Sequence, residues 1–194
     1  MGTRKNFYRA ILFLTFLSAF FFVWNVRVVH AYNSKDWRER LTARTATLWI
    51  EGQPLGDGLV INARAELNVT WLERGLSQIL SADNDVDEWV VSGLSYYFSN
   101  RKETRDKLKG RDVLVLNYKA IKNWSFDPFK LMVNGQRITP DDVLTRAGYW
   151  ESELAMGSVG MVTVAAPSLK PGQTVEFRYD TADARLKVPR TRAK

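Results

Sequence analysis

Three aspartates at alternate positions, Asp83, Asp85 and Asp87, come nearest in this sequence to the spacing of a metal site. Carboxylate oxygens so spaced converge on one calcium ion when the chain between them curls into a loop. The pattern breaks further on, because Glu88 stands where the sharp turn needs glycine and Leu94 where a bidentate glutamate would close the shell. A solvated acidic loop is the favoured reading, and no cofactor is expected. A second group is cationic: Arg101, Lys102, Arg105 and Lys107, followed by Lys109 and Arg111, could meet phosphate head groups or an anionic polymer. Glu103 and Asp106 dilute it, which favours a solvated face. A third is aromatic: Trp124, Phe126 and Phe129 crowd one turn, with Tyr149 and Trp150 further on. Such rings serve a partner when they sit in exposed loops and the core when they sit at strand ends. The binding residues expected from these groups are Arg101, Lys102, Arg105, Lys107, Trp124 and Phe126.

The excluded chemistry is broader. Cysteine is absent and the only histidine is His30. Thiolate nucleophiles, disulfides, histidine-ligated zinc and histidine general bases therefore drop out of any part of the chain beyond residue 30. A carboxylate pair such as Glu51 with Glu66 is the remaining route to glycosidase-type chemistry, and nothing in the sequence marks a cleft around it. The expectation is a protein that is not an enzyme, with a carboxylate-based polysaccharide-acting enzyme as an alternative.

The formal charge of +7 also says less than it first suggests. Arg4, Lys5, Arg9 and Arg27 lie in the first 31 residues, where there is no acid; without them 24 bases face 21 acids. That near balance argues against a nucleic-acid partner.

The first 31 residues have the order of an export segment: a basic start, an apolar run from Ala10 to Trp24, then Val29-His30-Ala31 ahead of Tyr32. Small residues at the third and first positions before Tyr32 suit a signal-peptidase site, and the 15-residue run is short for crossing a bilayer about 30 Å thick. Cleavage is favoured on that length. Val26, Val28 and Val29 extend the run, so an uncleaved anchor over residues 10–29 is the alternative. In both cases the flanking bases keep the start in the cytoplasm and send the remainder across.

The elements that must position any site read as strands. Arg111 to Ala120 is the best candidate for a central strand: Val113 and Val115 on one face and Leu114 and Leu116 on the other are all apolar, and Tyr118 and Ala120 then oppose Asn117 and Lys119. Tyr32 to Arg40 reads as a linker, Leu41 to Glu51 as strand-like, and Leu59 to Val69 as one half-buried strand. Thr70 to Glu73 fits a capping box ahead of a helix over about 71 to 81. Trp89 to Phe98 fits both a helical stripe and a strand, and its β-branched and aromatic content favours the strand. Asn134-Gly135 is a hairpin turn, Thr139-Pro140 starts a short helix, and Val159–Ala166, Val175–Tyr179 and Ala184–Val188 are short strands. These predict a mainly β fold, an antiparallel β-sandwich over residues 41–189 with one or two short helices. A hydrophobic helix at residues 1–31 precedes it and a basic tail, 190–194, follows.

Val113 to Lys119, Asn123, Phe129-Lys130-Leu131 with Asn134-Gly135, and Leu169 to Phe177 around Pro171-Gly172 together resemble the immunoglobulin-like accessory domains of bacterial exported proteins. The resemblance covers about 111 to 188. It implies an immunoglobulin-like fold and an extracytoplasmic location, periplasmic or at the cell surface, and carries no catalytic residues. The lipidated cysteine of that group is missing, and the predicted helix at 71–81 is outside its pattern. The function expected is a non-catalytic binding or assembly module that contacts another envelope protein or a surface polymer. A membrane-anchored subunit of a membrane complex is the alternative.

Overall fold

A computed structural model of the protein describes residues 37–57, 59–76, 86–145 and 153–190. The fold is mainly β, with antiparallel sheets and a few short helices. The predicted central strand is central: β5 (Arg111–Ala120) lies between β4 (Ala65–Leu72) and β10 (Val159–Pro167), and β1 (Thr45–Ile50) flanks β4. All three pairings are antiparallel. The second four-stranded sheet has the order β12-β11-β7-β8, from β7 (Leu131–Val133), β8 (Gln136–Arg137), β11 (Thr174–Tyr179) and β12 (Ala182–Lys187).

The two sheets share one core because each strand alternates. Leu48, Leu67, Leu116 and Val164 from the first sheet join Val133, Phe177 and Leu186 from the second in one buried cluster. Trp124 and Phe126, on and beside the short strand β6 (Trp124–Ser125), fill one end of it. The Phe126 ring stacks on Tyr118 at 4.2 Å, and Trp124 stands edge-on to Tyr118 at 6.1 Å. Trp124 and Phe126 therefore belong to the core, and β6 pairs with β9 (Glu153–Leu154); Tyr149 and Trp150 lie outside the described residues.

Among the described residues, helices cover one end of the opposite, outer face of the first sheet. Residues 37–42 form a helix, α1, and Glu88–Ser95 another, α2. Trp37 and Leu41 of α1 and Val90 and Leu94 of α2 bury Leu72, Val113 and Val115 beneath them. The fold thus includes part of the predicted linker, since Trp37 is 2% exposed.

Three other expectations are corrected. Trp89 to Phe98 is α2 followed by a 3-10 turn, Tyr96–Phe98, because Val90 and Leu94 are spaced to meet the sheet from one helical face. The capping box at Thr70 does not form: β4 continues to Leu72, and the Thr70 hydroxyl pairs instead with that of Thr45 at 2.9 Å. Leu59 to Val69 is not one strand, since Asn62 at φ 60° turns the chain between β3 (Leu59–Ile61) and β4. With β2 (Gln53–Gly56), β3 makes a separate hairpin on which Leu55 and Leu59 are exposed. The rest of the predicted helix at 71–81, beyond residue 76, lies outside the described residues. So do the N-terminal hydrophobic helix and its cleavage site. Among the described residues no helix is long and apolar enough to cross a membrane.

Helix α2 can approach the sheet only because Gly93 has no side chain. A Cβ there would lie 2.6 Å from Leu72 Cδ1 and 2.9 Å from Val115 Cγ2. Gly93→Ala gains about 1 kcal/mol in helix propensity but overpacks the contact at about 1–3 kcal/mol. A net loss of about 1 kcal/mol is expected by urea titration, with unchanged far-ultraviolet circular dichroism; a stabilised variant would show that α2 does not sit against the sheet.

Candidate functional site: a groove on the outer sheet face

Where α2 ends its cover, the outer face of the first sheet opens into a groove. Strand register decides its floor. Thr45, Thr70, Val115 and Thr163 form one cross-strand row, Thr47, Asn68, Asn117 and Met161 the next, and Trp49, Glu66, Lys119 and Val159 the third. Each row presents one side chain per strand to the same side, because side chains alternate along a strand. Two adjoining hollows of about 460 and 420 Å³ lie over these rows and share Asn68, Asn117 and Trp89. Trp89, near the start of α2, stands over both, and Trp37 of α1 walls the first.

The floor is partly ordered by its own bonds. The Thr47 hydroxyl donates to Asn68 Oδ1 at 2.6 Å, and the Asn68 amide donates to Glu66 Oε1 at 2.8 Å. These fix which way the Asn68 amide points. The Asn117 amide, half-buried in the middle strand, has no hydrogen-bond partner among the described residues. Charge is balanced throughout: Arg38 and Asp87 border the first hollow, Glu66 and Lys119 the second.

Of the residues singled out in the sequence, Asp87 borders the first hollow, where it is exposed, and Glu66 of the carboxylate pair borders the second. Asp83 and Asp85 lie outside the described residues. No group of three or more His, Cys, Asp or Glu residues suited to a metal ion occurs among the described residues. Arg101, Lys102 and Arg105 are exposed in and before the short helix α3 (Lys102–Lys107). Lys107 is turned inward, donating to the Val143 carbonyl at 3.2 Å and pairing with Glu103 at 3.5 Å. The basic stretch is therefore not one continuous patch. Trp124 and Phe126 are in the core. Glu51 pairs with Arg64 at 2.9 Å, and Glu66 accepts from Asn68, so the two carboxylates serve separate contacts.

Two charged clusters contribute no residue to the lining of either hollow. Arg44 pairs with Glu73 at 2.7 Å and lies over the Trp71 ring at 5.6 Å, while the Trp71 indole donates to Asp112 at 3.0 Å. Arg111 holds Asp142 at 2.6 Å. Burial pushes the Asp142 carboxyl up, but hydrogen bonds from the Thr139 amide and hydroxyl and from Arg111 outweigh it and hold the group below the ordinary carboxylate range. Both clusters consume their charges in structural bonds.

Thr47, Asn117 and Trp89 were missed as a group. They lie far apart in sequence and meet only through strand register and the placement of α2. The one local signal was Asn117 on the polar side of the central strand. The chain matches no protein-family model, no curated protein and no solved structure.

Proposed function

We propose that this chain is a non-catalytic binding module of the cell envelope, an immunoglobulin-like β-sandwich carried outside the cytoplasm by residues 1–31, whose binding face is the groove over Asn68, Asn117 and Trp89. The observation that carries the binding reading is the half-covered outer face. A sheet face that served packing alone would be covered along its length, whereas among the described residues the cover stops at a ring that overhangs polar side chains.

Strand order supports the fold part of the reading. In the immunoglobulin arrangement strands C, F and G share one sheet and A, B and E the other. The order β12-β11-β7-β8 matches G-F-C-C′, and β4-β5-β10 matches A-B-E. On this assignment the resemblance over 111–188 spans strands B to G, β1 is an added edge strand, and α2 and α3 are an insertion between A and B. The absence of cysteine and of any histidine after His30 supports a binding role over a nucleophilic one.

The test is cell fractionation followed by envelope retention. The protein is expected in envelope fractions of its native host, starting at Tyr32 if the export segment is cleaved and near Met1 if it remains an anchor. Purified protein carrying Asn117→Trp, which fills the groove, is expected to lose about tenfold in retention by isolated envelopes, or about 1.4 kcal/mol. Lys187→Ala, on the other sheet, is expected to leave retention unchanged. A cytoplasmic pool, or equal retention of the two variants, would end this reading.

A further inference from the structure

We infer that the groove takes an uncharged oligosaccharide, with Trp89 as the ring against which a sugar face stacks and with Asn117, Asn68 and Thr47 as partners for its hydroxyls. This deepens the reading above and rests on it.

Three observations select that ligand class. The first is charge. Among the described residues each hollow is bordered by one cation and one anion, Arg38 with Asp87 and Glu66 with Lys119. A charged polymer would meet one attractive and one repulsive group at each station and gain little. A neutral ligand meets no such opposition.

The second is the alternation of surfaces. A sugar ring is apolar on its flat faces and carries hydroxyls around its edge, so it needs an aromatic plate beside donors and acceptors that are neutral and fixed. The half-buried Trp89 is such a plate, shared by both hollows. The Thr47–Asn68–Glu66 chain fixes one amide beneath it. The Asn117 amide stands at the centre of the shared floor with its two donors and its acceptor unused among the described residues. An amide that can donate and accept at once suits a hydroxyl, which does the same.

The third is length. The three floor rows run along β4 from Thr70 to Glu66, a span of about 14 Å at 3.4 Å per residue. That is longer than one sugar ring, so a short run of a polymer fits better than a single monosaccharide. An extended peptide would instead add to unpaired backbone at a sheet edge; here only the rims of the floor, β1 and β10, are edges, while its middle, β4 and β5, is paired on two sides, so a strand-adding peptide would lie beside the groove and not across it.

The experiment uses the full chain purified in a phosphocholine detergent, since a glycoside detergent would itself occupy the groove. Two probes are titrated while tryptophan fluorescence is followed: protease-treated neutral glycan from envelopes of the native host, and the same envelopes' protein fraction freed of glycan. Glycan binding is expected, weakened about tenfold by Trp89→Ala and by Asn117→Ala and unaffected by Lys187→Ala. Thermal melts of each variant report folding, and Asn117→Ala, at the surface, keeps the test open if Trp89→Ala is damaged. If the protein fraction binds and the glycan does not, with Asn117→Ala still weakening binding, the ligand is a protein: this inference fails and the binding-module reading stands. If neither fraction binds, both fail.

Discussion

Replacing Arg44 by alanine is expected to destabilise the protein by about 4 kcal/mol, the scale for removing one partner of a buried ion pair. Arg44 is 5% exposed and sits between α1 and β1. Its guanidinium holds the Glu73 carboxylate at 2.7 Å, donates to the Arg40 carbonyl at 3.1 Å, and covers the Trp71 ring. Alanine removes the positive charge from beside Glu73 and uncovers the ring in one step. Nε of Arg44 is buried without a partner, so the ion is held at a cost as well as a gain. Arg44→Met restores apolar cover over Trp71 and is expected to recover about 1 kcal/mol of the loss. Chemical denaturation of the three proteins checks this. A loss below about 1 kcal/mol for Arg44→Ala would place the guanidinium in solvent.

Tyr97→Phe is expected to cost about 3 kcal/mol, because one hydroxyl serves two backbone groups. It donates to the Leu72 carbonyl at 2.6 Å and accepts from the Val113 amide at 2.9 Å. Leu72 and Val113 are the last registered pair of β4 and β5, so the hydroxyl ends the ladder where α2 and the turn after it press on the sheet. Burial also pushes the Tyr97 hydroxyl far above its ordinary pKa, more than the Val113 bond offsets, and burial does the same for Tyr179 and raises Tyr118. The unfolded chain ionises Tyr97 and Tyr179 near pH 10 while the folded protein keeps them protonated. Above about pH 10 the unfolded state therefore binds fewer protons, and stability falls as pH rises, by about 1.4 kcal/mol per pH unit for each group. Below that pH their contribution is constant. Tyr97→Phe should be less stable at pH 8 and should fall less steeply between pH 10 and 11. Equal slopes for the two proteins would show that Tyr97 is solvated.

The outcome at particular residues shows what a linear reading can reach. The central strand was legible because β5 is buried on both faces where its sequence is apolar on both, and turns half-open where Asn117 and Lys119 begin. Asn134-Gly135 was legible because both residues adopt positive φ, at 50° and 79°, as the β7–β8 hairpin requires. The strand predicted across Leu59 to Val69 failed through one residue, since Asn62 accepts a left-handed conformation and its neighbours' alternation continues on both sides of the turn. Trp89 to Phe98 was assigned by composition, yet the tertiary contact under Gly93 decided it. The groove was the least legible part. Which residues of β1, β4 and β5 stand in one row depends on register, and register follows from pairing across more than forty residues between Asn68 and Asn117.

The path of the chain at Arg44 also has a mechanical meaning. From α1 the chain enters β1, which runs antiparallel along β4 through six registered pairs, Thr45 with Thr70 to Ile50 with Ala65. Tension applied through residue 37, against a ligand gripping the sheet face, would draw β1 along its own axis. Ladder hydrogen bonds lie across that axis, so all of them take the load together instead of parting one after another. The Arg44 carbonyl, which accepts from the Trp71 amide at 2.9 Å, shares the same shear. A tether attached at this end would give way late and abruptly, because the six pairs must part in one step.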